Sequence, residues 1–248
     1  MTDEVDITVI VTGHHEGVLM GPTLASLCEA ADTARDDGLV VECIAVLDRA
    51  SDRTRAMFAA GAPMEGVFRV EEVDLGDQGL ARNHGVSKAR GRYLAMLDGD
   101  DLWSFNWLSA AYKLCREAST PIIVQPEFNI FFENYHGTYV NVSSESELFD
   151  EDAFRAFNYW DALCFCERSI FLDYPYERRD IANGFALEDW HWAWETYCAG
   201  IKHVVAPDTV HFKRRRIRSQ SVEAKARRAL PPFHPIQRYA WHDRAKQG

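Results

Sequence analysis

At 248 residues and 47% hydrophobic, the chain is long enough for one large α/β domain with a substantial core, and one domain is the simplest organisation. No apolar run approaches a membrane span, and the acidic start, Met1 to Asp6, has neither the cationic nor the apolar region of a signal peptide. The six cysteines form no Cys-x-x-Cys pairs, which points to buried thiols in a reducing cytoplasm rather than a zinc site. The net charge of −11 is uneven: residues 1–210 hold 16 Lys+Arg against 36 Asp+Glu, and residues 211–248 hold 11 against 2. A basic segment on an acidic body excludes the broad basic face of a nucleic-acid binder and suits an anionic small group or peripheral contact with a membrane surface.

Asp6 to Thr12 is a β-branched run typical of a buried parallel strand. It ends in Gly13-His14-His15-Glu16-Gly17, which is neither a dinucleotide-binding turn nor a P-loop, and Thr23 to Asp36 follows as a helix with Leu24, Leu27 and Cys28 facing inward. A second strand, Glu42 to Leu47, delivers Asp48; Ser51-Asp52 then caps another helix, a plain βα turn in which Asp48 need have no ligand. Val67 to Val73 is a third strand, Gly79 to Ala89 a short helix from a Gly-rich turn, and Tyr93 to Leu97 a fourth strand. The β-α-β-α-β-α-β order predicts a doubly wound, mostly parallel sheet with ligand groups at the carboxyl ends of its strands, where Thr12, Asp48, Asp77-Gln78 and Asp98 all fall.

The fourth strand ends in Asp98-Gly99-Asp100-Asp101. Crowding three carboxylates at an apolar strand end is unfavourable unless a cation neutralises them, and Mg²⁺ or Mn²⁺ with a phosphate would do so. Gly99 lets Asp98 and Asp100 turn to one point. The plainer alternative is a helix start, with Asp100 or Asp101 as its cap before Leu102-Trp103.

Beyond Trp103 the pattern predicts a helix from Phe105 to Glu117 and a strand over Pro121 to Gln125. Between Glu127 and Asp161 a run of aromatics, among them Phe131, Phe132, Tyr135, Tyr139, Phe149, Phe154, Phe157, Tyr159 and Trp160, is interleaved with polar residues; most are expected in the core, a minority on a sugar-binding face. Glu188-Asp189 opens a helix with Trp190, Ala193, Trp194 and Tyr197 facing inward, where the acids suit the helix dipole. Last comes His211 with Lys213, Arg214, Arg215 and Arg216, a run that reads either as a solvated face or as phosphate-binding cations.

Gly79-Leu-Ala-Arg-Asn-His-Gly85, Ala89-Arg-Gly-Arg-Tyr93 and Leu97-Asp-Gly-Asp-Asp101, in this order and spacing, resemble the signature of the family 2 glycosyltransferases of the GT-A fold. The resemblance extends over most of residues 5–220 and implies a single Rossmann-like domain over residues 1–210, with a nucleotide-binding half (1–103), an acceptor-side half (104–210) and a basic C-terminal segment (211–248). Carried over residue by residue, it places the nucleotide on Thr12, His14, Glu16, Asp48, Gln78, Arg82 and Asp98; His14 or His15 stands where an Asn is usual, and Arg49-Ala50 replaces an Asp-Gly after Asp48. It implies Mn²⁺ or Mg²⁺ on Asp98, Asp100 and His211, the diphosphate on Lys213, Arg214, Arg215 and Arg216, and catalysis by Asp189 as base beside Glu188.

The expected activity is inverting transfer from a nucleotide-diphosphate sugar, UDP-linked, to a carbohydrate or glycolipid hydroxyl in polysaccharide or glycoconjugate synthesis. Two rivals stand beside it. A sugar-phosphate nucleotidyltransferase would need a Gly-rich, Arg-bearing loop after the first strand; a non-catalytic sugar-binding module in a polysaccharide assembly would not need the three acidic sites.

Overall fold

The structure is a computed structural model that describes residues 4–59, 68–217 and 219–237. Val67, the expected start of the third strand, and the basic segment from residue 238 onward lie outside the described residues.

Four strands, β1 (Ile7–Gly13), β2 (Val41–Asp48), β3 (Phe68–Val73) and β4 (Tyr93–Asp98), run parallel in the order β3-β2-β1-β4. Ile7, Val9 and Val11 point to the face covered by α1 (Met20–Asp36) and α4 (Trp107–Glu117). Ile10, Ile44 and Val46 point to the other, covered by α3 (Gln78–Lys88), α6 (Arg168–Asp173) and α7 (Glu188–Cys198). With both faces covered, burial favours apolar residues along the strand middles, hence the runs Val9–Val11 in β1 and Cys43–Leu47 in β2, while the buried Thr8 hydroxyl donates to Glu42. Between β2 and β3 the helix α2 (Asp52–Ala59) makes the crossover, so the alternating pattern is present with strands and helices close to the expected bounds.

Beyond β4 the sheet changes. Its neighbour is the short antiparallel β8 (Phe165–Glu167), followed by β6 (Ile122–Glu133), β9 (Lys202–Arg215) and the two-residue β5 (Leu102–Trp103). The first part of β6 lies between β8 and β9, the second between β7 (Gly137–Val140) and β9, and the one-turn helix α5 (Glu151–Phe154) stands between β7 and β8 in the chain. Its parallel pairing with β9 runs from Ile122↔Lys202 to Glu133↔Arg215, with an irregularity between Pro126 and Phe128, where proline lacks the ladder N–H. The strand expected over Pro121 to Gln125 is therefore only the beginning of β6, and the helix expected from Phe105 starts at Trp107. The expected division after residue 210 falls inside β9. Through β5 the pairings Leu102↔Phe212 and Trp103↔His211 bring the basic run back beside the acidic turn that precedes β5.

Candidate active site

The loop after β3 is built on Asp48. Its Oδ1 accepts from the N–H groups of Leu75 (2.7 Å) and Gly76 (3.0 Å), its Oδ2 from Asp77 (2.9 Å), and Gly76 takes φ +64° to make the turn. Both carboxylate oxygens are thus committed to the backbone, and Asp48 is buried. Next to it His14 hydrogen-bonds through Nδ1 to the Asp48 carbonyl, and its N–H donates to Glu16. The ring of His15 lies against that of His14, tilted by 31°, with centroids 3.8 Å apart.

Asp77 caps α3 by accepting from Leu80 N–H at 3.0 Å, which starts the helix so that Gln78 and Arg82 meet the end of β4. Asp98 Oδ1 accepts from Gln78 Nε2 (2.6 Å), an Arg82 guanidinium nitrogen (2.8 Å) and Thr12 Oγ1 (3.3 Å). The strand-end residues Thr12, Gln78 and Asp98 converge as the topology requires. Arg82, only 4% exposed, reaches with its other terminal nitrogen to Glu188 Oε1 at 3.4 Å and lies over the Tyr176 ring. Gly79 leaves room for this bridge, since a Cβ there would sit 3.1 Å from both Glu188 Cγ and Tyr176 Cβ.

The three acids of the turn do not share one point. Burial works against a charge on Asp98, but Arg82 and then Lys213 outweigh it and hold its carboxyl below the usual range. Burial pushes Asp100 up to about 6 against the opposing charge of Arg216, whose Nε lies 2.6 Å from Asp100 Oδ2 and which also pairs with Glu16 at 3.5 Å. Burial likewise pushes Asp101 up to about 7; it accepts from Arg214 N–H at 2.7 Å and lies 3.6 Å from Lys213 Nζ. Gly99 is required by close approach, a Cβ there falling 2.6 Å from the Thr12 carbonyl.

The structure does not bring His211 to these acids as a third ligand. It is fully buried in β9, stacked on Trp103 at 5.9 Å and edge-on to Trp107 at 4.5 Å, and neither ring nitrogen has a hydrogen-bond partner. Burial pushes it down to about 3, so it sits neutral in the core. Among the described residues no group of three or more His, Cys, Asp or Glu side chains is placed to hold a metal ion. Asp98 and Asp100 remain as two hard oxygen donors, the number Mg²⁺ or Mn²⁺ takes when phosphate and water complete the shell.

The basic run is not a solvated face. Lys213 is buried between Asp161 (3.0 Å) and Asp101 (3.6 Å). Arg214 pairs with Glu133 at 2.7 Å and donates to the Asp100 carbonyl at 3.1 Å; Arg215 lies over the Phe131 ring. Asp161 is absent from the sequence-based expectations, yet it holds Lys213, accepts from Asn129 Nδ2 (3.3 Å) and Leu163 N–H (2.8 Å), and is kept below the usual range by the Lys213 charge despite burial. Its sequence signal is an acid immediately ahead of the apolar run Ala162 to Cys166, the mirror of Asp98 after an apolar run.

Glu188 and Asp189 open α7 without a side-chain cap, behind Leu187 at φ +65°. Asp189 is partly buried, accepts from Trp190 N–H at 2.9 Å, and faces Asn158 Nδ2 at 3.5 Å. Burial first, and Glu188 second, push its carboxyl up to about 7, with Arg82 opposing. Trp190 and Trp194, expected to face inward, donate to the Phe154 carbonyl; Trp192, not among the expected inward residues, is buried in the other core cluster and donates to the Tyr174 carbonyl. Of the aromatics between 127 and 161, Phe154 and Trp160 are core, while Phe157 is 50% exposed.

The Glycosyl transferase family 2 description matches residues 8–177, well over half of the chain. A curated relative, the succinoglycan biosynthesis protein ExoO of Rhizobium meliloti (strain 1021), is 29% identical over 143 residues, 58% of this chain. The chain spans 38% of that relative's length. Two solved structures share the fold. TarS 1-349 of S. aureus in complex with UDP-GlcNAc has a TM-score of 0.69 at 15% identity, over 88% of this chain and 61% of that one. The mannosyltransferase PcManGT of Pyrobaculum calidifontis, in complex with GDP-Man and Mn²⁺, has a TM-score of 0.63 at 21% identity, over 95% and 69%. The mixed, mostly parallel sheet flanked by helices is the GT-A architecture of these neighbours.

Proposed function

The chain belongs to glycosyl transferase family 2, and from that premise we propose that it moves a sugar, with inversion, from a UDP-linked donor to the hydroxyl of a carbohydrate or glycolipid acceptor in polysaccharide synthesis. The observation that carries the reading is the Arg82 bridge: one buried guanidinium joins Asp98, at the end of a parallel strand, to Glu188 beside Asp189, across ninety residues of sequence. It sets a group suited to the donor end against a group suited to the attacking end.

Asp98 and Asp100 are the residues that would hold Mn²⁺ or Mg²⁺. The ion would supply Lewis-acid neutralisation of the diphosphate as it leaves. The chain's own cations contribute the same sign of charge: Arg216 and Arg214, at the mouth of β9, are positioned to reach phosphate oxygens, whereas Lys213 is held lower by Asp161 and Asp101. Asp189, with a pKa near 7 and no cation of its own, is suited to take the proton of the acceptor hydroxyl in the step that inverts the anomeric centre. Thr12, His14 and Glu16 line the nucleotide end, with Asp48 shaping it from below through the loop it holds. No described helix is long and apolar enough to cross a membrane, and peripheral membrane contact is assigned to the exposed Lys225, Arg227 and Arg228.

The test is calorimetric titration of UDP with and without Mn²⁺, followed by slow hydrolysis of a panel of UDP-, GDP- and dTDP-sugars. UDP binding strengthened by Mn²⁺ and hydrolysis confined to UDP-sugars are expected. Equal binding in EDTA removes the metal from the reading, and hydrolysis of GDP-sugars alone replaces the base.

A further inference from the structure

The last described segment, Ser219 to Gln237, is not a loose tail. It contains α8 (Gln220–Ala226), capped by Ser219 accepting from Val222 N–H at 3.2 Å. It then runs across the turn that leads into α7: Ala186 N–H donates to the Leu230 carbonyl and Leu230 N–H to the Gly184 carbonyl, each at 2.9 Å. Beneath these bonds Ala186, Ala224 and Ala229 are buried together, with Ile181 and Leu187 packed on them. The far end is fastened too. Ile236 enters the aromatic cluster of Phe154, Trp160 and Trp194, and its carbonyl accepts from Arg155 Nε at 2.7 Å.

What this segment holds is strained. Leu187 has φ +65° and ψ +48°, a left-handed conformation that a branched, non-glycine residue adopts only where its surroundings over-determine it. No side-chain cap supports the start of α7, and the next two residues are Glu188 and Asp189. The direction in which Asp189 leaves the turn is therefore set by a backbone held from one side by the bridge of Phe185 to Asp180 and from the other by the bonds and packing of the 219–237 segment.

We propose that residues 219–237 form a positioning strap that holds the Gly184–Leu187 turn in its strained form and thereby sets the direction of the Asp189 carboxylate. The strap touches no reacting atom; its effect on chemistry rests on the glycosyltransferase reading, its effect on the turn does not. Small side chains at 186, 224 and 229 are needed because the strap lies directly on the turn, and the paired bonds at Leu230 fix its register.

The experiment uses the full chain with Leu230→Pro, which removes the N–H given to Gly184. Hydrogen exchange over residues 184–191 should speed up about tenfold, with β1 and β4 unchanged, because losing one backbone bond in a strained turn opens it locally. UDP binding should stay within about twofold, and hydrolysis of the UDP-sugar turned over by the wild type should slow about tenfold. Adding Leu187→Gly should recover most of that rate, since glycine takes positive φ without strain. Where Leu230→Pro disturbs the whole sheet, Ala224→Val, which crowds the strap off the turn without touching the backbone, takes its place with the same expected pattern. Unchanged exchange over 184–191 in the folded variant overturns the strap, as does a rate that Leu187→Gly leaves depressed. A wild type without hydrolysis defeats the functional reading alone, and the exchange comparison still stands.

Discussion

Two acidic ends face each other across Arg82, and they are held in opposite states. At the end of β4, Asp98 meets a guanidinium at 2.8 Å and two further donors, so its charge is favoured despite burial. At the start of α7, Asp189 has a neighbouring acid and a helix N–H but no cation in contact, and its carboxyl rises to about 7. One residue type is thereby held in two states: a carboxylate whose charge is favoured, and a carboxyl that can pick up and release a proton near neutrality.

Asp189→Asn breaks the contrast most directly. A helix start tolerates Asn almost as well as Asp, while a general base is worth on the order of a hundred- to ten-thousandfold in rate. Sugar transfer should nearly vanish with Tm and UDP affinity unchanged, measured by donor hydrolysis, thermal melting and calorimetry; Glu188→Gln should do less. Full activity in Asp189→Asn would move the base to Glu195 or Asp180, of which Asp180 caps a turn through Asn183 and Glu195 sits 3.7 Å from His191.

Arg82→Gln attacks the bridge itself. It leaves Asp98 and Glu188 partly buried without their cation, and thermal unfolding should show a loss of about 3 kcal/mol, the low end for breaking a buried pair because both acids keep some solvent. Asp189 then loses the charge that opposes its protonation, so the pH profile should shift upward.

The pH dependence sharpens the same contrast. With Asp189 near 7, the hydrolysis rate should fall about tenfold per unit as pH drops below 7, and this limb should be missing from Asp189→Asn. Stability runs the other way. Folded-state values for Asp189 and Asp101 lie above those of the unfolded chain, so their contribution is full in acid and lost as pH rises through about 7. Tm should decline between about pH 4 and pH 7 and level off above, less steeply in Asp189→Asn.

The smallest expected effect is at Asp48. Asn keeps one acceptor oxygen where three backbone N–H groups now converge, so Asp48→Asn should cost about 1–2 kcal/mol in unfolding experiments. UDP affinity should follow only as far as the loop at 75–77 loosens.

The first hundred residues are legible in sequence because β1, β2 and β4 are buried on both faces and the candidate site residues fall at or just beyond the ends of their apolar runs. Asp98, Gln78 and Arg82 meet where the parallel topology predicts. The remainder is set by pairings eighty residues apart: β6 against β9 crosses a mid-strand proline, and the cations of β9 resemble a solvated tail until Asp161, Asp101 and Glu133 are placed opposite them. His211 has the residue type of a ligand, but β5 pairing puts Trp103 and Trp107 around it. No local signal marks Leu187 as left-handed, because its conformation is imposed by a segment forty residues downstream.

The ion pairs of Asp98 with Arg82, Asp100 with Arg216 and Lys213 with Asp161 have a kinetic consequence. The strong charges described around the strand end already have counter-charges, so on the proposed function a metal-diphosphate ligand would bind by exchange, Asp100 turning from Arg216 to the ion and Arg216 to the diphosphate. Each half of that exchange alone strands a charge, which disfavours free Mn²⁺ and free UDP and favours the two entering together. Apparent affinity should therefore depend on the product of the two concentrations, and weakly on added monovalent salt, since little net charge is gained or lost at the site.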